Sequence, residues 1–396
     1  MSTSDNAFQE LARIFSTRNN RIFEIEILPP ALGPLLQDEC SIGITKKYLV
    51  QAFVVARHIF YEYTNPTSGR GSLSATAQDE KESAAQHSDK TLSDLLTSSE
   101  IILLFDCEHL TACNWRRRRL EDLKRRHDLS PDGREPLVQA LETELTLMTT
   151  YLCSPLHRHT KSPTLFQHRL WVLNQMLHVR SAEAIATRSL TAQSASRGTQ
   201  SERISREPES TVDLLRSEFT VVLRAGELHP RNYYAFSYMR QVYSILSGVM
   251  NEAREGPSLL AESLIDLMLN WCLAHPSDIS GWMFMLYLLE AVPKGDLHPN
   301  AVHKVVRYAL DVGWEGESLW TFIDLSIRAF DLERTVEGTL RTFSGSIPTA
   351  PVVCYDVTGK ETPASQSHWK TWLAMARTYW AGHAKVASND PQMNGN

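Results

Sequence analysis

The sequence is poor in features that mark secreted, membrane-spanning or metal-binding proteins. Its six cysteines are scattered and none forms a C-x-x-C pair, which excludes a zinc ribbon and predicts free thiols in a reducing compartment. No stretch reaches the ~18 consecutive apolar residues of a membrane span, and the start of the chain lacks the apolar core of a signal peptide. These absences predict a cytoplasmic protein without membrane insertion.

Excess positive charge is also absent. The formal net charge is −6, so the chain as a whole offers no positive field, and we expect no nucleic-acid partner. Basic residues are concentrated at 116–119 and 124–126, where Glu121 and Asp122 favour a solvated helix over a site for RNA or an acidic protein. An RNA-binding repeat protein would be basic in every unit. The sequence also has no phosphate-binding loop, Rossmann fingerprint or Ser-His-Asp arrangement.

What the sequence does contain is one motif in five copies, three clear and two weak. The copies are motif 1 at 107–117 (CEHLTACNWRR), motif 2 at 161–171 (KSPTLFQHRLW), motif 3 at 230–240 (PRNYYAFSYMR), motif 4 at 275–282 (HPSDISGW) and motif 5 at 316–320 (GESLW). A motif that recurs at intervals of tens of residues is typical of stacked structural units. We therefore expect each motif to open the second helix of a helical pair.

The residues around the motifs predict helical pairs. Apolar residues at helical spacing precede them, at 137–152, 212–225, 259–273 and 302–310. Ser162 is expected to cap a helix that starts at Pro163, and Asn232 to cap the next second helix. We predict an all-α fold, an α/α solenoid in the form of a superhelical crescent of about five helical-hairpin repeats, because a hairpin cannot bury its apolar side alone. One large residue in each motif, which we call the anchor residue, should fill the space between hairpins. The anchors are Cys113, Phe166, Phe236, Trp282 and Trp320.

The predicted organisation has four regions. They are an N-terminal entry segment (1–64), a disordered linker (65–91), the helical repeats (92–330) with a disordered insertion (181–210), and a C-terminal helix and tail (331–396). Apolar and charged residues alternate at 22–27, before Pro29, which predicts a short extended piece in the entry segment. The composition of 44–63, rich in Val, Phe and Tyr, predicts a long helix. The linker and the insertion are assigned from their lack of large apolar residues.

The motif resembles the repeat of protein prenyltransferase alpha subunits, approximately Pro-Lys-Asn-Tyr-x-x-Trp-x-x-Arg-Arg. The match is closer still to the alpha-subunit repeat-containing proteins, a divergent branch with a Pro-Pro after an apolar strand, Lys-Ser-Pro in the second repeat and Ser-Asp-x-Ser-Gly in the fourth. Here these features lie at 25–30, 161–163 and 277–281. The resemblance covers 8–64 and 92–330. It implies a crescent that wraps a beta subunit, an α/α barrel carrying the catalytic zinc and most of the isoprenoid pocket.

This resemblance implies a function as the non-zinc subunit of a heterodimeric protein prenyltransferase, a geranylgeranyl transferase first of all, inactive alone. Its partners would be the beta subunit, an isoprenoid diphosphate and a target protein with a C-terminal cysteine, and zinc is expected on the beta subunit. Lys161 matches the family lysine near the diphosphate, where a cation would stabilise the leaving group. The residues expected to bind a partner are His168, Arg169, Asn232, Tyr233, Tyr234 and Tyr238.

Departures from the family pattern leave a second hypothesis open. Cys113 replaces tryptophan in motif 1, and Pro163 stands where the family has tyrosine. The first arginine of the repeat is replaced by Met239, Met285 and Ile323 in motifs 3 to 5. A non-catalytic helical-repeat scaffold for protein–protein interaction would tolerate such losses.

A zinc site on this chain is not predicted. Cys153, His157, His159 and His168 are ligand types that bind zinc, but their spacing, C-x3-H-x-H-x8-H, matches no standard structural site. His168 is also accounted for by motif 2. We therefore predict no metal and no other cofactor on this chain.

Overall fold

The computed structural model describes residues 3–64, 79–129, 134–194, 206–250, 256–341, 354–355, 361–362 and 369–388. Across these ranges the chain is built from α-helices. The exceptions are a three-stranded sheet near the start and the short antiparallel strands β4 (Cys354–Tyr355) and β5 (Glu361–Thr362) near the end. The prediction of an all-α fold made of packed helical hairpins is confirmed.

The entry segment folds as a helix, a small sheet and a second helix. Its elements are α1 (Thr3–Ser16), β1 (Glu24–Leu28), β2 (Leu35–Asp38), β3 (Ser41–Thr45) and α2 (Lys46–Thr64). The central strand β3 is parallel to β1 and antiparallel to β2, and the paired residues Ile25 and Ile42 are both buried. At the other edge of β1, the amide of Phe23 donates to Thr150 Oγ1 (3.1 Å) and the amide of Ile25 donates to Ser154 Oγ (2.9 Å). Side chains from the repeats thus satisfy the edge of the sheet.

The sequence anticipated part of this segment. The extended piece at 22–27 and the helix at 44–63 are confirmed with shifted bounds, because Ile44 and Thr45 pair with β1 before the helix begins at Lys46. Strands β2 and β3 were not predicted. The residues of β2, LLQD, do not alternate, and the last two residues of β3 were assigned to the helix predicted at 44–63.

Five helical pairs follow, and every motif opens the second helix of a pair, as predicted. The pairs are α3 (Asp79–Phe105) with α4 (Leu110–Leu129), α5 (Arg134–Cys153) with α6 (Pro163–Ser194), α7 (Arg206–Leu228) with α8 (Tyr233–Val249), α9 (Gly256–Ala274) with α10 (Ile279–Glu290), and α11 (Leu297–Val312) with α12 (Glu317–Phe330). Two further helices are α13 (Glu333–Arg341) and α14 (Trp369–Ser388). Among these described helices, none is long and apolar enough to cross a membrane.

The chain divides into two compact units. The first comprises Met1–Glu202 and Glu218–Val242, and the second comprises Arg203–Ser217 and Tyr243–Asn396. Motifs 1 to 3 therefore belong to the first unit, and motifs 4 and 5 belong to the second.

Two segments predicted to be disordered are partly helical. Residues 79–91 form the first turns of α3, 181–194 form the last turns of α6, and 206–210 begin α7. These stretches contain many Ala, Glu, Gln, Lys and Arg residues, which favour helix even without an apolar stripe. The prediction of disorder there is wrong because it considered only the lack of core residues. The remaining parts, 65–78 and 195–205, lie outside the described residues.

Polar caps start the second helices and also join neighbouring pairs. Ser162 Oγ accepts from the amide of Leu165 (3.1 Å) and donates to the carbonyl of Cys107 in the preceding turn (3.3 Å). Asn232 Oδ1 accepts from the amide of Ala235 (3.2 Å), and its Nδ2 donates to the carbonyl of Thr160 (2.6 Å). Both predicted caps are confirmed. Each one satisfies a helix start and a carbonyl of the pair before it.

The anchor residues are all buried, and they pack by a common rule. Cys113 is 6% exposed and the other four anchors are at most 2% exposed. In the first unit Phe166 packs against Tyr238, which lies two positions beyond the next anchor, with ring centroids 5.4 Å apart. In the second unit Trp282 packs in the same way against Phe322, at 4.8 Å. The sequence repeat is thus also a repeat of contacts.

The C-terminal helix α14 packs against the fifth pair. Trp372 Nε1 donates to Asp324 Oδ1 of α12 (3.1 Å), and Trp380 Nε1 donates to the carbonyl of Leu310 in α11 (2.9 Å). The helix predicted to start at residue 369 is confirmed and continues to Ser388. It covers apolar surface that a further hairpin would bury.

Candidate functional site

The first unit contains two buried arginines at the same position of motifs 1 and 2. Arg116 in α4 forms two hydrogen bonds with Glu144 in α5, from Nε to Oε1 (2.8 Å) and from Nη2 to Oε2 (2.7 Å). Its Nη1 donates to the carbonyl of Leu96 (3.1 Å) and to Ser99 Oγ (2.9 Å) of α3. One side chain therefore connects three helices of two consecutive pairs.

Arg169 repeats this arrangement one pair later. Its Nε and Nη2 each donate to a carboxylate oxygen of Glu218 in α7, both at 2.8 Å. Its Nη1 donates to the carbonyl of Leu145 (3.0 Å) and to Thr149 Oγ1 (2.8 Å) of α5. The hydroxyl of Tyr238 donates to the same Glu218 (2.5 Å). Both arginine–glutamate pairs are structural.

The charge of Glu144 is held in place by its neighbours. Burial alone would raise the pKa of this carboxyl, but the Arg116 guanidinium and the His168 ring, whose Nε2 lies 2.8 Å from Oε1, hold the pKa well below its usual range. A buried ion pair with all its hydrogen bonds made is strongly destabilising to break, because the remaining charge has no water to solvate it.

Four of the six residues predicted to bind a partner are internal, so that part of the prediction is wrong. His168, Arg169, Asn232 and Tyr238 are all buried. Each makes hydrogen bonds within the repeats, to Glu144, Glu218 or backbone carbonyls. The sequence identified them as special polar positions but could not show that their helix faces point inward.

The other two predicted residues are at the surface. Tyr233 and Tyr234 open α8 with exposed fractions of 64% and 45%, and their rings meet edge to face at 5.8 Å. Leu110, the first residue of α4, is 62% exposed. The exposed tyrosine pair at the start of α8 is suited to contact with a protein partner, since aromatic residues are frequent in binding hot spots.

Lys161 lies at the end of a short 3-10 turn (His159–Lys161) just before α6, and its side chain is partly exposed. The rings of His157 and His229 meet edge to face with centroids 4.8 Å apart. Partial burial is the main cause that lowers the pKa of His229, and the nearby charges of Lys161 and His157 lower it further. We call Lys161, His157 and His229, together with Arg158, the basic turn cluster.

The basic turn cluster is suited to binding an anion. It brings one permanent ammonium and two imidazoles together, and Arg158 adds a guanidinium whose partner Asp106 is 3.5 Å away. An anion bound there would favour protonation of His229, because opposite charges stabilise each other's ionised forms. The cluster has the charge for electrostatic stabilisation of a phosphate-type group.

The cysteine and the histidines that were considered as zinc ligands make separate contacts. His159 Nε2 lies 2.9 Å from the carbonyl of Leu103, His168 binds Glu144, and His157 contacts His229. Cys153 Sγ lies 3.9 Å from the carbonyl of Val221. In the described part of the chain no three His, Cys, Asp or Glu residues are grouped to hold a metal ion.

The buried glutamates were missed by the sequence analysis, although a signal was present. Glu144 lies between Leu141 and Met148 on the apolar side of α5, and Glu218 lies between Leu215 and Val222 on that of α7. A lone carboxylate in an apolar stripe indicates a buried partner.

Comparison with known proteins agrees with this architecture. Residues 199–309 match a family model described as the ECM9 middle domain. Over 146 residues the chain is 31% identical to "Protein prenyltransferase alpha subunit repeat-containing protein 1" of Danio rerio, a match that covers 37% of this chain and 30% of that relative. The chain thus spans less than a third of the relative's length. The resemblance drawn from the motifs is confirmed: the chain is a helical-repeat protein similar to the prenyltransferase alpha subunit repeat-containing proteins.

Proposed function

We propose that the chain is the alpha-type subunit of a heterodimeric protein prenyltransferase, of the geranylgeranyl-transferring kind. It would dock a zinc-bearing beta subunit and assist transfer of an isoprenoid from its diphosphate to the C-terminal cysteine of a target protein. The observation that carries the proposal is the position of Lys161, in a cluster of basic side chains. The similarity to the Danio rerio protein supports the same assignment.

The role assigned to Lys161 is electrostatic. When the bond between the isoprenoid and its diphosphate breaks, negative charge grows on the leaving group, and a fixed cation lowers the energy of that state. Arg158 of the same turn is paired with Asp106, so Lys161 is the fixed cation, and His229 can add a charge by taking up a proton at the bound anion. The zinc that would activate the cysteine thiol is assigned to the beta subunit.

The docking surface assigned to the beta subunit is the row of helix starts in the first unit. Leu110, Tyr233 and Tyr234 supply exposed apolar and aromatic contacts there. An obligate heterodimer buries roughly 2,000 Å² or more, so these residues would form one part of a larger interface. Replacing both tyrosines by alanine should weaken the heterodimer.

The test is co-expression with protein prenyltransferase beta subunits, followed by gel filtration and a transfer assay with geranylgeranyl diphosphate. Lys161→Ala should leave complex formation unchanged and lower turnover by roughly a hundred- to a thousandfold, the range seen when one charge-stabilising group is lost. Lys47→Ala, at an exposed position on α2, is the matched control. The proposal is wrong if no beta subunit forms a complex with the chain.

A non-catalytic scaffold is the alternative, and the later motifs favour it. Met239, Met285 and Ile323 replace the arginine and are fully buried, so motifs 3 to 5 keep the packing without the polar contacts. If a beta subunit binds but Lys161→Ala leaves turnover unchanged, the catalytic part of the proposal fails and a docking role remains.

A further inference from the structure

The three-stranded sheet of the entry segment has one closed edge and one open edge. At the closed edge, the amides of Phe23 and Ile25 donate to Thr150 and Ser154 of the repeats. At the opposite edge, β2 pairs on one side only, with β3. The outer side of β2 is therefore the place in this sheet where a further strand can add.

The backbone groups that face the open side belong to Leu35 and Gln37. Bonded and non-bonded pairs alternate along an antiparallel ladder, so every second residue of β2 bonds to β3. The amide of Thr45 donates to the carbonyl of Pro34, the residue before β2 (3.0 Å), so Leu36, two positions on, also bonds to β3. The N–H and C=O groups of Leu35 and Gln37 consequently point outwards, and within the described residues no hydrogen bond reaches them.

Leu36 places an apolar side chain between these outward-facing residues. It is 52% exposed, and its cross-strand neighbour on the same face is Gly43. A Cβ added at Gly43 would collide with Leu28 Cδ1, so the Leu28 side chain lies over this glycine. Edge strands are commonly protected by a lysine, a proline or a charge within the strand, but the one charge of β2, Asp38, lies at its last position. The middle of the edge is thus apolar and unprotected.

A second copy of β2 fits this edge without mismatch. In an antiparallel pairing about a two-fold axis at Leu36, Leu35 lies opposite Gln37 of the second copy, and each of the two such pairs exchanges two hydrogen bonds. Leu36 then lies opposite Leu36 of the second copy in a non-bonded pair, where side chains are closest. Asp38 lies opposite Pro34 of the second copy. The two Asp38 carboxylates are about 14 Å apart, beyond the Debye length of about 8 Å, so they repel little.

We propose that the open edge of β2 is a self-association surface, at which two copies of this chain join their three-stranded sheets into one sheet of six strands. The strand has only four residues, so the interface is smaller than the ~1,200 Å² at which stable interfaces begin. The dimer is therefore weak, and its population rises with protein concentration. The proposal is independent of the prenyltransferase role, because it uses none of the residues assigned to that role.

The first test places a cysteine on the predicted two-fold axis. Leu36→Cys, in a Cys40→Ser background, should form a disulfide-linked dimer under mild oxidation, read on a non-reducing gel. Non-bonded antiparallel pairs have Cα atoms about 4.5 Å apart, a distance that a disulfide spans. Asp38→Cys in the same background is the matched control, since the two cysteines would be about 14 Å apart. Equal linking by both variants, or linking by neither, overturns the proposal.

The second test removes an outward-facing amide. Gln37→Pro loses the N–H that would bond to the second copy but keeps the ladder with β3, because proline is tolerated where the N–H of an edge strand faces solvent. Gln37→Ala keeps this N–H and is the matched control. In sedimentation velocity at roughly 5–200 µM, a range suited to weak interfaces, the wild-type chain and Gln37→Ala should associate, whereas Gln37→Pro should stay monomeric with an unchanged urea midpoint.

Three results would count against self-association. They are a wild-type chain that stays monomeric over the whole range, a folded Gln37→Pro variant that associates as Gln37→Ala does, and a Leu36→Cys chain that links to another protein but not to itself. The last result would assign the edge to a different partner. If Gln37→Pro fails to fold, the comparison of Leu36→Cys with Asp38→Cys still decides.

Discussion

Replacing Arg169 by methionine tests how the first unit is held together. The change copies motif 3, where Met239 is buried at the same position. It removes both bonds to Glu218, whose side chain is 3% exposed, and leaves this carboxylate buried with Tyr238 as its donor. Breaking a buried ion pair from one side costs about 3–5 kcal/mol. We expect a loss of stability of that size.

A second substitution separates the lost attraction from the uncompensated charge. Adding Glu218→Leu to Arg169→Met removes the buried carboxylate, and we expect the double variant to recover at least half of the loss, since apolar replacements of buried pairs are often nearly neutral. Recovery should stay incomplete because the buried hydroxyl of Tyr238 loses its acceptor, at about 1 kcal/mol, whereas Thr149 and the carbonyl of Leu145 keep their bond to each other.

The assay is urea unfolding of the full chain, monitored by circular dichroism. Because the chain has two compact units, the curve is expected to show more than one transition, and one of them should shift. Arg125→Met is the control: this exposed arginine pairs with Asp122 at the surface, where an ion pair contributes about 0–1 kcal/mol. A loss below about 1 kcal/mol for Arg169→Met, or a double variant no more stable than the single one, would refute the reasoning.

Three further outcomes follow from the same structure. Asn232→Ala should cost about 1–2 kcal/mol in urea unfolding, because it removes a helix cap and the bond to Thr160; a loss no larger than that of Ser237→Ala would contradict this role. Phe166→Ala should lower the free energy of unfolding by about 3–5 kcal/mol, whereas Leu110→Ala at an exposed site should change it little. Equal losses of stability would contradict the packing rule. The low pKa of Glu144 stabilises the fold above the carboxyl's ordinary pKa of about 4.5, and this part is lost as pH falls below it. Urea unfolding between pH 6 and 3 should therefore show a smaller acid dependence in Glu144→Gln, and identical slopes would be the contrary result.

Local sequence patterns were sufficient to predict most of the fold. Ser162 before Pro163 and Asn232 before an aromatic run are caps that any helix start would use, so they were readable without tertiary information. The helical bounds at 79–91 and 181–194 were misjudged, because a lack of core residues was given more weight than helix propensity.

The site was harder to predict because it depends on which side of a helix faces inward. His168 and Tyr238 have the composition of binding residues, but the structure gives each a buried glutamate as its partner. Those glutamates lie 24 and 20 residues away in sequence, and no local pattern connects them to their partners. The exposed Tyr233 and Tyr234 differ from Tyr238 only by their place around the same helix.

The arginine–glutamate bridges also make the hairpins of the first unit depend on neighbours that carry a buried acid. Arg116 is satisfied by Glu144 of the second pair and Arg169 by Glu218 of the third, so a hairpin docked against a pair without such a glutamate would bury an arginine without its acid. Such a misassembled stack would be several kcal/mol less stable. In the second unit the same position holds Met285 and Ile323, which fit any apolar neighbour and discriminate little between partners. The polar pairs therefore favour stacking of the first three repeats on one another over misassembly with an apolar repeat, a failure to which repeat proteins are prone.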